Sequence, residues 1–129
     1  MGGTEVLGAA TAVSAYSLAE GYTNVDYNEW LTIQNPTATA QTITLTIVNA
    51  ESRVLTQSYA VAAHSRFTVD ITALVLQHLI VSNDSAQGYE VSLSVQGGAG
   101  GIVVERPMYW NTGASGTQGG SDVIGYNGY

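Results

Sequence analysis

Residues 42–48, TITLTIV, and 89–95, YEVSLSV, alternate polar and apolar side chains with a period of two. Successive side chains of a pleated strand point to opposite faces, so this period suits a strand; a helix would put half of the apolar residues in water. Ile43, Leu45 and Ile47 then share one dry face, and Val91, Leu93 and Val95 another. Strands with one wet face belong to antiparallel sheets. A sheet with a dry face needs a second layer to cover it.

The rest of the chain supplies the material for that layer. The two alternating runs read as strands over 41–49 and 89–96, and strand vocabulary recurs at 12–19, 29–34, 52–61, 65–71 and 101–110, with a short run at 122–126. The breaks between these runs are turn chemistry. Asn35 precedes Pro36, which disfavours helical backbone; NAES at 49–52 closes a hairpin, and GGAGG at 97–101 makes a tight turn or bulge. One segment dissents: ITALVLQHLIV, 71–81, carries apolar residues at helical spacing and good helix formers, and reads as a short helical crossover between two sheets. The expectation is an all-β, immunoglobulin-like antiparallel sandwich of seven to eight strands with one helical crossover. A chain of 129 residues suffices for one such core.

Composition then narrows what the sandwich can do. Only three cations, Arg53, Arg66 and Arg106, stand against ten acids, giving a net charge of −7 with no lysine. Such a surface is a poor partner for nucleic acid or anionic membrane, and a Schiff-base lysine or a lysine isopeptide crosslink is excluded. The chain has no cysteine, hence no disulfide, thiolate zinc site or cysteine nucleophile. No apolar run reaches the roughly 20 residues of a membrane span, and MGGTEVLG does not read as a secretory signal.

The two ends of the chain match. Residues 2–8 read GGTEVLG and residues 119–125 read GGSDVIG: Gly2, Gly3, Val6 and Gly8 recur as Gly119, Gly120, Val123 and Gly125, and the other three positions exchange Thr for Ser, Glu for Asp and Leu for Ile. The ends read as one strand written twice. The chain accordingly divides into a linking or end strand, 1–11, and a sandwich domain, 12–129. Two situations produce such a repeat: a unit of a tandem array, or subunits that assemble head to tail by strand addition, a contact that does not close on itself. The interface candidates are Val6 and Leu7 at one end, and Val123, Ile124, Tyr109, Trp110 and Tyr126 at the other.

Candidate chemical groups are weighed against plainer readings. Glu20, Glu29, Glu105 and Asp122 could pair as general acid and base across a sugar. The favoured reading is structural: Glu105 and Arg106, adjacent on one strand, point to opposite faces, and Arg106, a scarce cation, is expected to hold a fixed partner among Glu20, Glu29 and Asp122. His64 and His78 stand alone, and no G-x-S-x-G elbow frames a serine, so no catalytic residue is assigned. The loop NVDYNE places Asn24, Asp26, Asn28 and Glu29 as oxygen donors, a calcium alternative to an ordinary Asn/Asp turn, though it lacks the glycine and distant glutamate of an EF-hand. No other cofactor is expected. Eight tyrosines and two tryptophans could fill the core, form an interface or stack on glycans. Trp30, in EWLTI, is the expected core anchor. Pro107, unable to donate to a ladder, is expected to mark an edge position or a bulge where the strand stops pairing and exits the sheet.

At EGYTNVDYNEWLTIQNP (20–36), HSRFTVDI (64–71), VVERPMYWN (103–111) and GGSDVIGY (119–126), the chain resembles a domain of unknown function found, often in tandem, in large secreted and cell-surface proteins of bacteria. The resemblance implies a β-sandwich, an extracellular setting and no established enzymatic activity. Two stretches depart from it: NVDYN replaces a glycine-rich turn, and ITALVLQHLIV is more apolar than the pattern. The function expected is a noncatalytic extracellular module in linear arrays or fibres of itself or its tandem neighbours. A carbohydrate-binding or adhesive surface module, with glycans as partners, is the alternative.

Overall fold

The computed structural model describes residues 8–24, 26–79, 89–111 and 118–127. Within them the chain forms eight strands and one helix: β1 (Ala15–Thr23), β2 (Tyr27–Asn35), β3 (Gln41–Asn49), β4 (Val54–Val61), β5 (Ser65–Asp70), α1 (Ile71–His78), β6 (Tyr89–Gln96), β7 (Val103–Asn111) and β8 (Gln118–Ile124). They build two four-stranded sheets, ordered β1-β6-β3-β4 and β5-β2-β7-β8. Every ladder is antiparallel. The molecule is an all-β sandwich of eight strands.

The alternation places the core. Ile43, Leu45 and Ile47 of β3 and Val91, Leu93 and Val95 of β6 point inward from one sheet; Leu31 and Ile33 of β2 and Val104 of β7 meet them from the other. All are buried, most of them completely. Removing such a side chain from water contributes about 1.5–3 kcal/mol each. α1 links β5 of one sheet to β6 of the other, as a crossover should. Asp70 caps it, its carboxylate accepting from the Ala73 amide at 2.9 Å. Ile71 and Val75 turn into the core. The helix closes at Leu79; residues 80 and 81 of the expected helical run lie outside the described residues.

Turns follow the local chemistry. NAES becomes the β3–β4 turn, with Ser52 in the left-handed region at φ 61°. Gly101, at φ 76°, has its alpha carbon against the backbone of Ala12 and Val13, where a side chain would not fit. Asn35 does more than open a turn. Its side-chain amide donates to the carbonyls of Thr39, Val61 and Ala62, and its side-chain oxygen accepts from Thr37 and Gln41.

Two expectations are corrected. Pro107 is neither on an edge, nor at a bulge, nor at a strand exit: β7 is an inner strand, keeps one register with both neighbours and continues four residues beyond it to Asn111. Pairing with β2 lapses between Glu29↔Met108 and Thr32↔Glu105 and resumes in the same register, so the missing N–H interrupts the ladder without bending the strand out of the sheet. Trp30 is not a core anchor. Leu31 and Ile33 set the phase of β2, which turns Glu29 inward and Trp30 onto the outer face. Among the described residues, no helix is long and apolar enough to cross a membrane.

Candidate functional site

The inward turn of Glu29 creates the first feature. Its carboxylate lies wholly within the sandwich, 3.6 Å from Nε of Arg106, itself nearly buried on the neighbouring β7. Arg106 reaches across the interlayer space and donates through Nη2 to the backbone carbonyl of Glu20 on β1. That carbonyl belongs to a β-bulge, where three steps along β1 from Leu18 to Gly21 match two along β6 from Leu93 to Val91. Gly21 is required there, because a Cβ would stand 2.4 Å from Oε1 of Glu29. Burial pushes the Glu29 carboxyl up to about 7, opposed by the Arg106 cation. Burial likewise lowers Arg106, with Glu29 and Glu20 opposing it.

Of the carboxylates weighed as partners of Arg106, Glu29 is the side chain in contact, while Glu20 contributes its backbone oxygen. Glu105 and Asp122 lie on the opposite, outer face of the sheet. The oxygen donors of the 24–29 loop do not converge: Asn24 accepts from the Asp26 amide at 2.7 Å, Asp26 and Asn28 are exposed, and Glu29 is turned into the core. Among the described residues no group of three or more acidic or histidine side chains is placed to hold a metal.

The second feature is a depression of about 360 Å³ on the outer face of the β5-β2-β7-β8 sheet. Its lining comes from all four strands: Trp30 and Thr32, Arg66 and Thr68, Glu105, Pro107 and Tyr109, and Asp122. Ladder register explains the assembly, since Thr32 faces both Thr68 and Glu105, and Pro107 faces Asp122. Burial raises the Asp122 carboxyl, partly offset by a hydrogen bond from the Val123 amide. The result is an aromatic floor, two acids, one cation and two hydroxyls, with a volume inside the range of about 300–1,000 Å³ typical of ligand sites. Trp30, Arg66, Thr32 and Thr68 were not singled out for this face from the sequence. The alternation contained the signal: Thr32 is the polar member of LTI, and Trp30, two residues earlier, shares its face.

The third feature is β8, which carries GGSDVI as the edge strand of its sheet. Of the interface candidates, Tyr109 is 54% exposed, Tyr126 64% and Val123 36%, whereas Ile124 packs against the core. Trp110 is half-buried, its ring stacked on Tyr27 at 6.5 Å. Val6 and Leu7 lie outside the described residues. Beyond β8, Tyr126 exchanges two backbone hydrogen bonds with Ser17 of β1, at 2.7 and 2.8 Å. Val13, just ahead of β1, pairs similarly with Ile102, just ahead of β7.

No family model matches the chain, and no curated protein does. Solved structures do. Thermotoga maritima 1070 superposes on 94% of this chain and all of its own, at 14% identity and a TM-score of 0.71. The Anabaena sensory rhodopsin transducer superposes on 77% of this chain and 97% of its own, at 18% identity and a TM-score of 0.54. At these identities the likeness is one of fold.

Proposed function

We propose that the eight-stranded sandwich is a noncatalytic structural module of extracellular or cell-surface arrays, joined to its neighbours through the strand written at both ends of the chain. The observation that carries this reading is the place of GGSDVI: residues 119–124 lie in β8, so residues 2–8 repeat the sequence of a sheet strand rather than of a linker. A unit that carries one strand sequence twice can lend one copy to a neighbour's sheet. The extracellular setting rests on the resemblance carried by EWLTIQNP, VVERPMYW and GGSDVIG. The test compares the full chain with one lacking residues 1–10, by light scattering and negative-stain electron microscopy over a range of concentrations. Concentration-dependent linear assembly that vanishes on deletion supports the module; assembly that survives deletion overturns it.

A second reading, a glycan-binding or adhesive module, is favoured by the outer-face depression, where Trp30 and Tyr109 stand among Arg66, Glu105 and Asp122. Aromatic faces pack on the C–H faces of sugar rings, and carboxylates and guanidinium groups bind paired hydroxyls. The expected outcome is glycan-array binding that Trp30→Ala removes while the thermal transition is kept, with the bound glycan recovered uncleaved. No binding to any glycan disposes of this reading; cleavage disposes of the noncatalytic one.

A further inference from the structure

The glycines at the head of β8 answer to their neighbours on β7. A Cβ at Gly119 would lie 2.4 Å from Cζ2 and 2.7 Å from Nε1 of the Trp110 indole. At Gly120 it would lie 3.1 Å from Cδ1 of Tyr109 and 3.2 Å from the Met108 carbonyl oxygen. The ladder sets these encounters, pairing Trp110 with Gly119 and Tyr109 with Gly120. The indole is packed beside Tyr27, with ring centroids 6.5 Å apart and planes at 28°, so displacing it gives up that contact. Neither glycine has a positive φ. At Gly119 the requirement is steric, imposed by the indole across the ladder; at Gly120 a side chain would be a tight fit against the Tyr109 ring and the Met108 carbonyl.

Residues 2–8 reproduce this strand with both glycines in register: Gly2 corresponds to Gly119 and Gly3 to Gly120. A strand added beyond β8 would face the backbone of β8, where no ring asks for glycine. A strand laid on β7 would meet Trp110 and Tyr109. We infer that residues 2–8 are fitted to the β8 place of a second copy of this unit, antiparallel to its β7, with Gly2 under the Trp110 indole and Gly3 beside Tyr109. This rests on the array reading above and specifies its joint: strand exchange rather than addition to a free edge. The resident β8 is tethered to its own β7 at an effective concentration of the order of millimolar. Exchange therefore favours concentrated protein, and dilute protein is monomeric.

The experiment uses the full chain and measures assembly against concentration by analytical ultracentrifugation. Gly2→Val is expected to raise the midpoint concentration about tenfold or more. Gly3→Val should raise it less, because its neighbours stand farther off, and Trp110→Ala should restore assembly to Gly2→Val by removing the ring. Should Trp110→Ala impair folding, a covalent readout stands in: Thr4→Cys chains mixed with Met108→Cys chains, in a protein otherwise free of cysteine, form a mixed disulfide on oxidation, since Thr4 corresponds to Ser121, which pairs with Met108. If Gly2→Val assembles like the wild type and the mixed disulfide does not form, while deletion of residues 1–10 abolishes assembly, exchange is overturned and the array reading stands. If the full chain stays monomeric at every concentration, or assembles regardless of the deletion, both fall together.

Discussion

Glu29 occupies a position where a sandwich ordinarily holds an aliphatic side chain, and its presence is explained by Arg106. The guanidinium ties β7 to the bulged carbonyl of Glu20 in the opposite sheet, and the Glu29 carboxyl beside it is a polar neighbour below neutral pH and a counter-charge above it. Since burial raises the Glu29 carboxyl from its ordinary 4.5 to about 7, the folded chain keeps a proton through that window that the unfolded chain has lost. Stability is therefore greatest below the unfolded value and falls as pH rises toward the folded one, by at most about 1.4 kcal/mol per pH unit from this group. Urea unfolding of the wild type should show a midpoint that declines between pH 5 and pH 7.5. Glu29→Gln, a neutral amide in place of the neutral acid, should match the wild type near pH 5 and lose most of the decline. An unchanged slope in the variant would show that Glu29 is ionised throughout. The sequence marked Glu29 as a partner for Arg106 but did not reveal that the pair is buried, because alternation tells which side chains share a face and not which face is dry.

At the scale of elements, most of the architecture was legible. Six of the eight strands stand within three residues of their expected limits at either end, because period-two alternation and the Asn, Pro and Gly breaks act locally. β1 and β8 were the exceptions: β1 runs on through a bulge to Thr23, and β8 begins at Gln118, ahead of the expected 122. A bulge and a pair of glycines under aromatic rings both draw their sense from the neighbouring strand. Pro107 illustrates the same limit, since its missing N–H was visible but its inner position was not. The crossover helix is short and leans on its cap. Asp70→Ala removes the acceptor for the Ala73 amide and should cost about 1 kcal/mol, read as a lower urea midpoint with an unchanged slope. A cost indistinguishable from zero would mean that packing of Ile71 and Val75 alone holds α1.

For the whole molecule, the described chain enters β1 and leaves β8 at one pole. Val13 pairs with Ile102 there, and Tyr126 pairs with Ser17. Joining Tyr126 to Val13 through a short flexible linker and opening the chain in the exposed β3–β4 turn at Glu51–Ser52 should yield a permutant that folds cooperatively, as is common when chain ends lie close. A permutant with the wild-type far-ultraviolet dichroism and a single unfolding transition is the expected result; loss of cooperative unfolding would show that the order of strand formation matters to the fold. By itself the sequence determined the class of structure, the strands, the helical crossover and the repeat at the two ends, because each depends on side-chain period, turn chemistry or identity read along a single stretch. Tertiary structure alone decided that Glu29 is inside and Trp30 outside, that Pro107 lies in an inner strand, and that Gly119 must be glycine. Those properties belong to pairs of segments distant in sequence, and they come into being only when one sheet is laid against the other and one strand beside the next.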